Sequence, residues 1–148
     1  MKYHDIVKVL APCGLNCSKC MAFTHGDIKK NAHELKRLLG AFDNYSQRFS
    51  SFNQVFENYP SFQKLLEYFT QADCKGCRNG DCVYPNCGVI ACYRHKGVDF
   101  CFQCDEFPCE KTNFDTNLHT RWIKMNSLMK QKGVEAYFEE TKDLPRYM

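Results

Sequence analysis

The stretch that decides the fold runs from residue 74 to residue 109 and reads CKGCRNGDCVYPNCGVIACYRHKGVDFCFQCDEFPC. Two Cys-x2-Cys pairs stand near its ends, Cys74-Lys-Gly-Cys77 and Cys101-Phe-Gln-Cys104. That spacing lets a tight turn aim two sulfurs at one ion, and structural zinc takes four such ligands. The loops between the cysteines are short and polar, so they bury too little apolar area to offset their ordering entropy. The stretch therefore predicts metal-binding knuckles.

A second, smaller group of cysteines precedes it and reads Cys13-Gly-Leu-Asn-Cys17-Ser-Lys-Cys20. Three thiolates are one short of a closed tetrahedral site, and the nearest further donor is His25. We therefore expect this group to meet cysteines of the later stretch in space. The same Cys-x3-Cys-x2-Cys spacing also occurs in three-thiolate iron–sulfur sites, which keeps an iron–sulfur cluster open as the alternative to zinc.

All eleven cysteines are candidate metal ligands, enough for about two four-cysteine zinc ions with three cysteines left over. The candidates are Cys13, Cys17, Cys20, Cys74, Cys77, Cys82, Cys87, Cys92, Cys101, Cys104 and Cys109. His95 follows Cys92 by three residues and is a further possible ligand, although an exposed histidine beside Arg94 and Lys96 is the commoner case. The sequence offers no candidate catalytic residue and no candidate site for an organic cofactor.

The cysteine count and the charge restrict the class of protein. An odd number of cysteines and an N-terminus without a signal peptide argue against a disulfide scaffold and favour a cytoplasmic protein. The sequence contains no run of 18 apolar residues, so it predicts no membrane span. The formal charge is +3, and two four-thiolate zinc sites would lower it to −1. Nucleic-acid binding is therefore disfavoured, and another protein is the expected kind of partner.

Apolar residues at helical spacing predict that most of the remaining chain is α-helical. Thr24 to Asp27 resembles a capping box ahead of a helix that ends at Gly40. An aromatic series then follows at steps of three and four, which predicts a buried helix face. Its members are Phe42, Tyr45, Phe49, Phe52, Phe56 and Tyr59. Pro60 opens a further helix, and two more are expected around Trp122 and Tyr137.

The predicted fold is a mainly α, single domain over residues 1–148. Its helical part covers residues 24–70 and 115–140, and its loop-rich cysteine and zinc knuckle region covers residues 10–23 and 74–111. The cysteine knuckles leave room for short β-hairpins, although no alternating strand pattern stands out.

Several of these motifs together resemble one prokaryotic cysteine-rich family, domain of unknown function 3795. The motifs are Cys13-Gly-Leu-Asn-Cys17-x2-Cys20, Cys74-x-Gly-Cys77, Cys92-x3-Lys96-Gly97 and the end Glu106-Phe107-Pro108-Cys109. The interval between Cys82 and Cys87 is longer than the family pattern. The resemblance implies a metal-binding protein, with zinc as the metal, and it implies no activity or substrate.

These observations predict an intracellular metal-binding protein whose zinc sites are structural and whose surface serves as a protein-interaction module. An iron–sulfur redox or sensor protein is the first alternative. A zinc-dependent or cysteine-dependent enzyme is the second, and it is disfavoured because no glutamate accompanies a Cys/His motif as a general base.

Overall fold

The computed structural model describes residues 1–80 and 82–147 of the chain. Those residues form seven α-helices and three short 3₁₀ turns, with no sheet among them, so the mainly α prediction is confirmed. The helices are α1 (Tyr3–Val9), α2 (Asp27–Leu39), α3 (Asp43–Ser50), α4 (Tyr59–Thr70), α5 (Gly88–Lys96), α6 (Thr116–Lys132) and α7 (Val134–Thr141). The 3₁₀ turns are Cys17–Lys19, Gln54–Asn58 and Cys101–Gln103. An isolated β-bridge pairs Leu10 with Asn16.

Two compact units divide the chain. The cysteine unit combines Met1–Cys20 with Cys74–Met148, and the middle unit is Met21–Asp73. All eleven cysteines therefore fall in the cysteine unit. No helix in the part of the chain described here is both long enough and apolar enough to cross a bilayer.

The apolar core of the cysteine unit is built on α1, α6 and α7. Its buried members are Ile6, Leu10, Phe100, Met125, Met129, Val134, Tyr137 and Phe138. Helix α6 begins at an N-cap in which the Asp115 carboxylate accepts hydrogen bonds from the backbone N–H groups of Asn117 and Leu118, at 2.9 and 3.0 Å. It ends at Gly133, whose φ of 87° lets the chain turn directly into α7. The side chains of this core are apolar, and none of them is a cysteine.

Helix α2 begins later than the sequence pattern indicated. Its N-cap is Gly26, and no side chain caps it, so the prediction of a capping box from Thr24 to Asp27 is wrong. Its end at Gly40, where φ is 53°, is as expected. A glycine N-cap is adequate because it imposes no steric cost, although it gives up the side-chain hydrogen bond.

The aromatic series of the middle unit does not form one buried helix face. Helix α3 ends where the hydroxyls of Ser50 and Ser51 donate to the carbonyls of Gln47 and Arg48. The 3₁₀ turn that follows starts where the Asn53 side chain accepts from the N–H of Val55. These local hydrogen bonds compete with a continuous helix.

The rings of the series stack mainly on one another, and much of their surface stays in solvent. Phe42 lies 5.4 Å from Phe49 and 5.0 Å from Tyr59, measured between ring centroids. Phe52 is 72% exposed and Tyr45 is 54% exposed, so the prediction that the whole series is core is wrong at these positions. Few apolar side chains of the middle helices are buried, and Ala32 and Leu66 are among those few.

Candidate metal centre

The Cys-x2-Cys pairs fold as tight turns, as their spacing predicted. Cys17 and Cys101 each open a 3₁₀ turn, in which the N–H of Cys20 donates to the carbonyl of Cys17 and that of Cys104 to the carbonyl of Cys101. The turn of the first pair is capped by Asn16, whose side chain accepts from the N–H of Ser18 at 3.0 Å. Each pair therefore presents two sulfurs from one short turn.

The pair Cys74 and Cys77 uses a glycine to make its turn. Gly76 has a φ of 91°, which an L-residue with a side chain rarely adopts. In this conformation the N–H of Gly76 points at the sulfur of Cys74, at 3.4 Å. The N–H of Tyr84 approaches the sulfur of Cys82 in the same way, also at 3.4 Å. Backbone amides aimed at sulfur stabilise a thiolate over a thiol.

The first thiol group consists of Cys17, Cys77, Cys82 and Cys87. The Cys77 thiol interacts with the sulfurs of Cys17 and Cys82, and the Cys87 thiol interacts with Cys82. Hydrogen bonding from Cys77 lowers the pKa of Cys17 to about 6 and is the largest cause that lowers the pKa of Cys82 to about 2. The pKa values of Cys77 and Cys87 are raised because each thiol donates to a neighbouring sulfur.

This arrangement bears on two of the sequence predictions. Cys17 from the N-terminal group meets Cys77 from the later stretch, as expected for a shared cluster. Cys82, whose spacing departs from the family pattern, interacts with both Cys77 and Cys87 and thus connects two members of the group.

The second thiol group consists of Cys92, Cys101, Cys104 and Cys109. All four line one cavity of about 30 Å³, together with Trp122 and two lysines. A volume of this size has room for about one or two water-sized spheres, so it suits a single ion better than an organic ligand. Cys92 comes from α5, Cys101 opens the 3₁₀ turn, Cys104 directly follows that turn, and Cys109 follows Pro108. Four separated positions in the sequence thus converge on one small cavity.

Trp122 is a polar neighbour of the second group, and the sequence indicated only that it lies in a helix. Its indole N–H is buried and has no hydrogen-bond partner in residues 1–80 and 82–147. The indole acts on the Cys101 thiol and lowers its pKa, but burial is the larger effect and raises that pKa to about 11. The N–H lies near the sulfur without the geometry of a full hydrogen bond. A thiolate at Cys101 would give this orphaned donor its acceptor.

Two lysines place positive charge beside the second group. Lys96 and Lys111 line the cavity, and both pair with the carboxylate of Glu106. The hydrogen bond from Lys111 is the largest cause that lowers the pKa of Glu106, and the bond from Lys96 is the second. Together they lower this pKa to about 2. Four thiolates around a divalent ion carry a net charge of −2, and cations at this position reduce its electrostatic cost.

Arg146 places positive charge near the first group, as the two lysines do near the second. Its guanidinium donates to the carbonyl of Asn16 at 2.6 Å, and the thiols of Cys20, Cys13 and Cys17 act to raise its pKa. In return it acts to lower the pKa values of Cys17 and Cys82. Nothing in the local sequence marked this arginine, since it lies 126 residues beyond Cys20 along the chain.

The remaining candidates lie outside the two groups of four. Cys13 is buried, and burial is the main cause that raises its pKa to about 12. Cys74 is half-buried, and burial is the main cause that raises its pKa, with smaller contributions from Cys20, Cys17 and Cys82. His95 is exposed on α5, and His25 belongs to the middle unit, where its ring lies 6.2 Å from that of Phe23.

None of the eleven cysteines, all within the described residues, forms a disulfide. Throughout residues 1–80 and 82–147, no three Cys, His, Asp or Glu side chains stand in an arrangement that could hold a metal ion. In the first group the Cys77 and Cys87 thiols are the donors, and the sulfurs of Cys17 and Cys82, whose pKa values are lowered, are the acceptors. The donor set nevertheless suits zinc, because four cysteine sulfurs are its commonest closed ligand set.

Gly88 directly follows Cys87 and packs closely against the backbone of Lys111, so its replacement is expected to destabilise the protein. A Cβ at this position would overlap the backbone carbonyl oxygen of Lys111, which neighbours Cys109. Gly88→Ala is therefore expected to lower the free energy of unfolding by about 2 kcal/mol, although alanine in a helix normally stabilises. Urea denaturation of both proteins measures the difference. Gly80→Ala is the matched control, because no atom lies within 4 Å of its added Cβ, and an equal effect of the two would contradict the steric explanation.

Fold and site together define a small, mainly helical, cysteine-rich protein whose eleven cysteines all lie in one of its two units. The chain belongs to the family described as Protein of unknown function (DUF3795), whose family model matches residues 9–114. The match covers the whole cysteine-bearing stretch and the middle unit, so the resemblance expected from the motifs is confirmed. Comparison with the curated proteins and with the solved structures finds no match.

Proposed function

We propose that the cysteine unit binds two zinc ions, one at each group of four cysteines. Cys17, Cys77, Cys82 and Cys87 would hold the first ion, and Cys92, Cys101, Cys104 and Cys109 the second. The observation that carries the proposal is the small cavity that Cys92, Cys101, Cys104 and Cys109 line together. The first set is supported by the interactions of Cys82 with Cys77 and Cys87, and of Cys77 with Cys17. Zinc would supply a redox-inert centre that cross-links these segments.

The role proposed for both ions is structural. A set of four cysteines fills the coordination of zinc and leaves no position for a substrate, which distinguishes it from a catalytic site. The loops that carry Cys77, Cys82 and Cys87 contain little buried apolar surface, and metal binding contributes on the order of 10 kcal/mol to small cysteine modules. We further propose that the chain is a protein-interaction module, because structural zinc commonly holds loops that present a surface to a partner protein.

Metal content gives the direct test of the proposal. We expect protein purified without oxygen to contain about two zinc ions per chain, because each closed set of four thiolates holds one ion. Elemental analysis by mass spectrometry measures the ratio. Stoichiometric iron with acid-labile sulfide and visible absorption would favour an iron–sulfur protein instead. Protein without metal, with disulfides in its place, would reject both.

Single Cys→Ser substitutions test the proposed ligand sets. Cys82→Ser and Cys104→Ser are each expected to lower the zinc content from about two ions to about one, since each removes a ligand from one set. Cys20→Ser is the matched control, because this residue belongs to the same turn as Cys17 but lies outside the proposed sets. If Cys20→Ser and Cys74→Ser lose an ion while Cys82→Ser and Cys87→Ser retain both, the first ion is held by the two Cys-x2-Cys pairs and the proposed set is wrong.

A further inference from the structure

A broad groove on the cysteine unit is separate from the cavity of the second thiol group. It has a volume of about 900 Å³ and lies along α6, between the loop after α1 and the segment that follows α7. Apolar side chains make most of its wall, including Leu15, Leu118, Leu128, Tyr137 and Leu144. Sites for small molecules typically measure about 300–1,000 Å³ and are mostly apolar with a few convergent polar groups. The groove has the size and the lining of such a site.

The charged side chains of the groove are mainly of one sign. Four cations line it, Lys19, Arg121, Lys124 and Arg146, against the single carboxylate of Asp115. That carboxylate is already engaged, because it caps α6 and accepts a hydrogen bond from the Tyr84 hydroxyl. None of the four cations forms an ion pair with a carboxylate within residues 1–80 and 82–147. The groove therefore carries positive charge that its own walls do not neutralise.

Three of these cations are held in place by backbone carbonyls. Lys19 donates to Leu144 at 2.7 Å, Arg121 to Arg146 at 2.5 Å, and Arg146 to Asn16 at 2.6 Å. Each of these hydrogen bonds uses one donor, so both guanidinium groups keep further N–H groups for another acceptor. The neutral carbonyls orient the side chains without cancelling their charge, and this preorganisation reduces the cost of binding an anion.

We propose that this groove binds an amphipathic anion, a small molecule with a carboxylate or phosphate head on an apolar body. The head would lie against Arg121 and Lys124, since arginine binds planar and tetrahedral oxyanions with two parallel hydrogen bonds. The apolar body would lie against the leucines and Tyr137 of the wall. The inference does not depend on metal binding, because none of the eight proposed ligands lines the groove.

Titration calorimetry on the full-length protein tests the proposal with simple probes. Octyl phosphate and octanoate share the anionic head and apolar chain, and comparing them identifies which oxyanion the groove prefers. We expect saturable binding of at least one of them at one molecule per chain, and at least tenfold weaker binding of octanol and of inorganic phosphate, each of which lacks one half. Octanol binding as tightly as both anions, or no saturable binding of either anion, would overturn the proposal.

Two variants locate the binding site. Lys124→Glu is expected to weaken binding of the better probe by about tenfold, and Arg121→Gln by a similar factor, because each removes a charged donor from the head. Lys130→Glu changes the same charge on the same helix outside the groove and is expected to change affinity less than twofold. Lys124 makes no hydrogen bond in the described part of the chain, so its variant decides the result even if Arg121→Gln fails to fold. Equal affinities for Lys124→Glu and Lys130→Glu would show that the anion does not bind here.

Discussion

If the cysteine unit binds zinc as proposed, treatment with a chelator is expected to abolish amide protection across residues 74–109 and to leave α2 and α4 protected. In residues 74–109 the packed groups include the cysteines themselves, since Cys77, Cys87, Cys101 and Cys109 pack against the buried cluster that contains Val89 and Trp122. Without metal these segments lose the contribution of on the order of 10 kcal/mol that zinc brings to small cysteine modules. We expect protection factors there to fall by roughly 100-fold or more, measured by hydrogen exchange with mass spectrometry.

Helices α6 and α7 provide the internal reference for that experiment. Their core with α1 contains no cysteine, and Phe100 is its one fully buried member from residues 74–109, so their protection should fall less than that of the cysteine-bearing stretch. Adding zinc back in excess should restore the original pattern. A loss of protection of the same size along the whole chain would contradict the separate stabilisation of the two parts.

Asn126→Ala is expected to lower the free energy of unfolding by about 3 kcal/mol. Asn126 is fully buried on α6 and joins three segments of the cysteine unit. Its amide N–H group donates to the carbonyl of Cys13 at 2.9 Å, and its side-chain oxygen accepts from the N–H of Phe102 at 3.1 Å. Alanine leaves both backbone groups without this partner, and each buried unsatisfied group costs about 1–3 kcal/mol.

Asn117→Ala provides the control for this substitution, since Asn117 is exposed on the same helix. Its effect is expected to stay within about 0.5 kcal/mol. Urea denaturation of the zinc-loaded proteins measures both changes. An equally small effect of Asn126→Ala would mean that water or a shift of the backbone satisfies Cys13 and Phe102 in its absence.

The long helices were predictable because their apolar residues repeat with the helical period. Helix α6 follows from the spacing of Leu118, Trp122, Met125 and Met129, and the turn into α7 follows from Gly133. Helices α1 and α5 were not predicted, since each has only two turns or a little more and α5 lies among the cysteines. In α5 the packing of Val89 and the side chains of the second thiol group override a weak local pattern.

The aromatic series of the middle unit shows why periodicity alone overestimates burial. The ring centroids of Phe42 and Phe56 lie 6.0 Å apart, so the two rings shield each other from solvent. Phe52, in contrast, projects into solvent after α3 has ended. The helical period of the sequence continues through residues 50–53, whereas the backbone does not, because serine and asparagine side chains compete for its hydrogen bonds.

In the candidate site, too, the sequence predicted the features that depend on neighbouring residues and missed those that depend on long-range folding. The Cys-x2-Cys turns are local, so their spacing predicted them. The assignment of Cys17 to the group of Cys77, Cys82 and Cys87 depends on how the chain folds back, which spacing does not encode. The same holds for Trp122 beside Cys101 and for Arg146 beside Cys17, whose residue types have many other uses in a protein core or surface.

The discontinuity of the cysteine unit has a consequence for biosynthesis. The hydrogen bond from Asn126 to Cys13 spans 113 residues of sequence, and the whole middle unit is synthesised between its two partners. At about 5–20 residues per second, Asn126 is synthesised roughly 6–23 s after Cys13. During this interval the N-terminal cysteines lack the segment that will cover them. We therefore expect nascent chains to be most sensitive to thiol oxidants before α6 emerges from the ribosome.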